Sequence, residues 1–300
     1  MDLSQWRERG EMSEIGGDSV FVVDQPARES GSAPPLLVIH GFPTSSVDWS
    51  EVIDELSANR RVVLADLPGF GLSAKPDRRY GIMSSADAVQ ALIEQRELGH
   101  LDLVTHDMGD TIGGELLARD LEGRLMVNGK RVNIGHRVVT NGSIYLDMAQ
   151  LTPGQHLLWS AEDARLPEEL TPGPDSLERS LLDTMAQPGS PASHPDPVDV
   201  RAAAEGVCHD NGAGLLPRLI RYLDDRRDNE SRFTGAIVSH PSPLGVVWGD
   251  ADPIALIAMA RRLAEERPDA ELVELQGVGH YPMLEAPAEF ARAVLSLLDA

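Results

Sequence analysis

The chain reads as an α/β protein: a mostly parallel sheet flanked by helices, with a helical segment inserted between its two halves. Three observations predict this. Short apolar runs alternate with stretches whose apolar residues recur every three or four positions, the pattern of βαβ units. The alternation is present at both ends of the chain and stops in the middle. At 300 residues and 42% hydrophobic composition, the chain can bury a core without disulfide or metal staples.

The elements follow in order. Residues 20–23 form a first strand. Residues 36–40, Leu-Leu-Val-Ile-His, make a continuous apolar run, as in a strand covered on both faces. Residues 62–66 and 101–105 repeat it, and helical spacing fills 52–59 and 86–97 between them. After Thr105, the residues Ile112, Leu116, Leu117 and Leu121 share one helical face. Late in the chain, 244–248 and 271–275 are strands, 253–266 is a helix, and 285–298 closes with Phe290, Val294 and Leu298 at four-residue steps. From about 145 to 235 no strand is convincing. Residues 187–197 carry four prolines in eleven positions and read as a loop. The expected division is a core of 1–142 and 236–300 and a helical cap of 143–235. In open α/β sheets ligands bind outside the carboxyl ends of the strands, so the cap would roof the site.

Composition excludes several functions. Acidic residues outnumber basic ones 48 to 26, a net charge of −22, which argues against nucleic-acid and anionic-membrane partners. Only Lys75 and Lys130 are lysines, a skew that suggests a GC-rich or salt-adapted source and says nothing about chemistry. The single cysteine, Cys208, cannot form an internal disulfide. No Cys/His spacing fits zinc, and neither metal nor cofactor is expected. The first ten residues lack an apolar leader segment, and no run approaches the ~18 residues of a membrane span. A cytoplasmic location is expected. Oligomeric state stays open, a homodimer included.

Four segments directly after strands carry the chemistry. In Thr105-His-Asp-Met-Gly-Asp110, the strand turns sharply into a helix and presents its central residue, Asp107, at the sheet top, the geometry of a nucleophile elbow. The same position would also suit a helix cap. Trp248-Gly-Asp-Ala-Asp-Pro253 offers an acid, Asp252 preferred and Asp250 second. Gly277-Val-Gly-His-Tyr-Pro282 offers His280. The order nucleophile, acid, histidine is that of a hydrolytic triad on an α/β sheet. His40-Gly-Phe-Pro43 sits where the backbone N–H of Phe42 would pair with that of Met108 as an oxyanion hole, with both side chains lining the pocket.

With these motifs and Asp66-Leu-Pro-Gly-Phe-Gly-Leu-Ser73, the chain resembles the α/β-hydrolase superfamily over essentially its whole length. An aspartate at the elbow makes it similar to the epoxide hydrolase and haloalkane dehalogenase branch. His106-Asp-Met-Gly-Asp110 and Asn141-Gly-Ser-Ile144 look like the mesoderm-specific transcript group and its bacterial relatives. A carboxylate attacking an ester carbonyl would give an anhydride, whereas attack at an sp³ carbon gives an alkyl ester that water can hydrolyse. An ordinary esterase is therefore disfavoured.

The leaving group separates the rest. Dehalogenases of the branch hold halide with a Trp after the nucleophile and often an Asn after the first His-Gly. Here those positions are Met108 and Phe42, which have no side-chain donor. Epoxide hydrolases supply tyrosine hydroxyls from the cap. Tyr222 lies 30 residues before Asp252, close to that branch's spacing, on a helical face with Leu215 and Leu219. For the second acid, Tyr145 is placed ahead of His156. Trp159 is a candidate pocket wall, His106 a buried residue, and the charged run 224–228 a solvated helix face. The expectation is an epoxide hydrolase taking a small, largely apolar substrate and water. A haloalkane dehalogenase and a non-catalytic binding protein on the same scaffold are the alternatives.

Overall fold

The computed structural model describes residues 1–186 and 189–300, so the start of the proline-rich loop, Gln187 and Pro188, lies outside the described residues. Its strands are β1 (Glu11–Ile15), β2 (Asp18–Gln25), β3 (Leu36–Ile39), β4 (Val62–Ala65), β5 (His100–His106), β6 (Met126–Val127), β7 (Lys130–Arg131), β8 (Asn133–Thr140), β9 (Leu244–Gly249) and β10 (Glu271–Leu275). Eight of them form one sheet in the order β1-β2-β4-β3-β5-β8-β9-β10, and β6 and β7 make a separate hairpin. Pairing is parallel from β4 to β10 and antiparallel only at the β1–β2–β4 edge. The four apolar runs chosen from sequence are β3, β4, β5 and β9, and each is buried almost along its length, as strands covered on both faces must be.

One central strand, β8, escapes that pattern. Arg137 interrupts its apolar run, yet Arg137 is only 1% exposed. Its guanidinium donates to Ser242 Oγ (2.8 Å), the Ile237 carbonyl (2.8 Å) and the His240 carbonyl (3.1 Å). Burial, with Arg267 nearby, pushes its pKa down to about 9. A charge satisfied by carbonyls can sit inside a sheet, and the sequence pattern alone does not disclose the carbonyls.

Between β8 and β9 the described residues contain helices and turns but no strand. The main helices there are Pro153–Ser160, Pro174–Leu182, Pro197–Cys208 and Tyr222–Ser239. The expected boundary at 235/236 falls inside the last of these. That helix lies along Met108–Leu121, the helix that follows β5, so the inserted segment and the sheet layer share a continuous packing surface.

Candidate active site

The site is assembled from loops at the carboxyl ends of β3, β5, β9 and β10. Asp107 follows β5 directly, at φ 51° and ψ −114°, a backbone conformation seldom adopted by a residue with a Cβ. It stands at the head of helix Met108–Leu121 but makes no side-chain cap bond, so capping does not explain it. Its neighbours must be small. A Cβ on Gly41 would lie 2.6 Å from Asp107 Cβ, and one on Gly109 would collide with the Ile39 carbonyl. The turn thus holds a strained, buried carboxylate, and the Phe42 N–H donates to its Oδ2 at 2.9 Å.

The acid and the histidine are fixed more heavily. Asp252 Oδ2 accepts from His280 Nδ1 (2.8 Å) and from Asn141 Nδ2 (2.7 Å). Its Oδ1 accepts from the backbone N–H groups of Ile254 (2.8 Å) and Ala255 (3.0 Å). Asp250, the second choice, instead accepts from the Gly277 N–H and braces the neighbouring loop. Burial alone would push the His280 imidazolium down, but the Asp252 charge and hydrogen bond, helped by Asp107 and Glu285, raise its pKa to about 9. His106 is buried as expected. Its Nε2 donates to the His280 carbonyl at 2.8 Å, and burial together with His280 pushes its pKa down to about 4.

Two supporting residues were missed from sequence. Asn141 bonds Asp252, the Gly279 carbonyl and, through its Oδ1, the Gly249 N–H, tying β8, β9 and the His280 loop together. Its signal was the Asn141-Gly-Ser-Ile144 motif, noted as a likeness without a role. Glu285 accepts from the N–H groups of Ala186, Gly279 and Tyr281 and from Ser193 Oγ, clamping the turn that carries His280.

A cavity of about 80 Å³ opens between these loops and the inserted helices. Its walls include Phe42, Leu158, Leu181, Leu216, Ile254 and His280, with Gln155, Ser180 and Thr184 as polar points. Among the described residues, no Asp, Glu, Lys or Arg lines it. Asp107 and Tyr222 are not part of that wall; Tyr222 is 2% exposed, its ring 5.6 Å from that of Phe42, and its hydroxyl has no hydrogen-bond partner among the described residues. Burial first, then Asp107, raises its pKa.

The other expected contacts require correction. Tyr145 turns away from Asp107: its hydroxyl donates to Glu266 at 2.8 Å and the Arg262 guanidinium stacks on its ring at 3.9 Å. His156 is exposed and outside the cavity wall. Trp159 also lies off the wall, its indole N–H donating to Asp224 at 3.2 Å, and the adjacent Leu158 takes its place. Met108 is buried beside the elbow without entering the wall. In the charged run 224–228, Arg226 is 2% exposed rather than solvated.

Sheet order, elbow and strand-end loops together define an α/β hydrolase. Residues 36–293 match the alpha/beta hydrolase family, and the chain belongs to it. It is similar to LipZ of Mycobacterium tuberculosis, named as a hydrolase, with 37% identity over 99% of this chain and 98% of that protein. It is also similar to the human mesoderm-specific transcript homolog protein, with 27% identity over 99% of this chain and 88% of that one. Among solved structures, an alpha/beta hydrolase fold protein from Burkholderia ambifaria superposes with a TM-score of 0.75 at 22% identity, covering 99% and 98% of the two chains. The epoxide hydrolase CorEH does so at 0.72 and 17% identity over 97% and 98%, a likeness of fold. No helix among the described residues is long and apolar enough to cross a membrane.

Proposed function

We propose that this α/β hydrolase is an epoxide hydrolase working through an ester on Asp107. The observation that carries the reading is an aspartate at the strained elbow, held by the Phe42 N–H, with the unpartnered Tyr222 hydroxyl packed against Phe42. Asp107 attacks a ring carbon, the ring C–O bond breaks, and Tyr222 gives its proton to the departing oxygen. The attack neutralises the Asp107 charge, one of the supports that raises His280, so His280 becomes the weaker acid-holder and its proton restores the Tyr222 phenol. Neutral His280, oriented by Asp252, then takes a proton from water. The hydroxide adds to the Asp107 carbonyl carbon, with the charge developing near the Phe42 N–H. Collapse releases the diol, the second water proton going to its oxygen, and returns Asp107 as carboxylate and His280 as imidazolium.

The neutral, mostly apolar wall suits an uncharged substrate. Halide chemistry has no comparable support. Three of the four indole N–H groups are engaged by Ser46, Asp224 and the Ala255 carbonyl, that of Trp49 is buried without a partner among the described residues, and no tryptophan lines the cavity. The test is a single turnover of a terminal epoxide in ¹⁸O-water. The label is expected in Asp107 first and in diol only on later turnovers, and His280→Gln should leave the Asp107 peptide heavier by the mass of the epoxide. Label in the first diol, with an unmodified peptide, overturns the reading.

A further inference from the structure

Arg226 is buried, and its surroundings do not neutralise it. Its Nε donates to Thr111 Oγ1 at 3.0 Å, one of its terminal nitrogens has no partner, and it makes no ion pair among the described residues. On the facing helix, Asp110 is a carboxyl that feels the Arg226 charge without pairing with it. Burial raises the Asp110 pKa well above the ordinary carboxylate range, and Arg226 only partly offsets this. Its Oδ1 accepts from the Thr105 hydroxyl and its Oδ2 is unpartnered. A buried cation without a counter-charge is costly, and such a group calls for an explanation. The guanidinium carbon of Arg226 stands 5.0 Å from the centre of the Tyr222 ring.

We propose that Arg226 is the positioning residue for Tyr222, stacked on its ring and anchored by Thr111 so that its charge assists the proton-donating hydroxyl where no second tyrosine from the inserted helices is available. The inference rests on the epoxide reading for its catalytic consequence. In the resting site the negative charge sits on Asp107. When the ester forms, that charge moves to the ring oxygen and Tyr222, toward Arg226. A fixed cation there stabilises the transition state more than the ground state, without reorganisation. The groups that act on Tyr222 are Asp107 from the elbow, which opposes ionisation, and Arg226 from its own helix, which favours it; Tyr281 faces it from the loop after β10. Tyr145, bound to Glu266, is not placed to share the task.

The experiment separates a positioning role from a structural one. With 3,5-difluorotyrosine installed at position 222, the phenol ionises in an accessible range and is followed by absorbance, without substrate. Arg226→Gln is expected to raise that midpoint by about one pH unit, a tenfold change in proton affinity, and Arg226→Lys to restore most of it. Arg226→Met and Thr111→Val give the same comparison should the Gln variant fail to fold. An unmoved midpoint in a folded variant overturns the proposal. Independently, Arg226→Gln should slow formation of the Asp107 ester about tenfold or more in the His280→Gln background, and the effect should vanish when Tyr222 is already Phe. A loss that persists without the Tyr222 hydroxyl means that Arg226 only braces the helix, which also overturns it. If no epoxide esterifies Asp107 in any variant, the functional reading fails, and the titration still decides Arg226.

Discussion

The strand-end loops and the inserted helices above them hold their polar groups in opposite ways. In the loops, the Asp252 carboxylate accepts four hydrogen bonds, two from side chains and two from backbone. The loop of His280 is pinned by Glu285 below and by His106 beside it. In the inserted segment, the Tyr222 hydroxyl is unpartnered, His156 faces solvent, and Leu157 and Leu170 are 72% and 68% exposed. The contrast separates two tasks. The triad and the Phe42 N–H are fixed before substrate arrives, which keeps reorganisation out of the barrier. The proposed acid, Tyr222, and the groups that meet the variable part of a substrate sit on a layer with fewer hydrogen-bond constraints.

The sharpest way to break this comparison is to loosen the fixed region. Asp252→Ala removes the partner that orients His280 and holds its proton. Hydrolysis of the ester should fall roughly 10³–10⁴-fold, while its formation is slowed far less, so the ester accumulates and is seen by mass. Equal slowing of both steps would show that Asp252 holds the whole site rather than the base.

The two tyrosines of the inserted segment sharpen it further. Tyr222→Phe should slow ring opening about 10²-fold, the lower range for removal of a general acid, with little change in thermal stability. Tyr145→Phe should leave turnover unchanged and cost about 1 kcal/mol of stability through the lost bond to Glu266, read from urea unfolding. The reverse outcome would return the acid to Tyr145 and remove Tyr222 from the chemistry.

The same division governs what could be read from the chain. β3, β4, β5 and β9 announce themselves because a strand covered on both faces needs an unbroken apolar run. The loops after them follow from topology, since a parallel strand must end where the sheet is open. Position along the sequence therefore identified Asp107, Asp252, His280 and Phe42 as neighbours. β8 was hidden because the carbonyls that accept from Arg137 lie about a hundred residues away. In the helices, one residue rotates a side chain by ~100°, so Trp159 was chosen where Leu158 faces the cavity. The hydroxyl that makes Tyr145 a candidate acid does not reveal that Glu266 accepts from it. Arg226 looked like its charged neighbours because charge pattern does not report which side of a helix is covered.

Even inside the fixed region one acid is held in the wrong charge state for water, and this gives an effect on stability alone. Asp48 is fully buried behind the site, accepts from the Thr44 hydroxyl, and has an unpartnered Oδ1. Burial, partly offset by Thr44, raises its pKa from 3.8 to about 8. A carboxyl whose folded pKa is raised contributes stability fully present below its unfolded pKa and lost as pH rises through the folded one. The window for Asp48 is therefore about pH 4 to 8. His280, raised from 6.5 to about 9, acts in the same direction but only above its unfolded value. Between pH 4.5 and 6.5 Asp48 and Asp110, raised by the same cause, lower stability as pH rises, while His106, held down to about 4, acts in the opposite direction, so the Asp48 part is read as the difference between parent and variant. Asp48→Asn should remove about 1.4 kcal/mol per pH unit of that slope, measured by urea unfolding across the interval. A slope identical to that of the parent chain would mean that water reaches Asp48 and that the strand-end region is less sealed than its hydrogen bonds suggest.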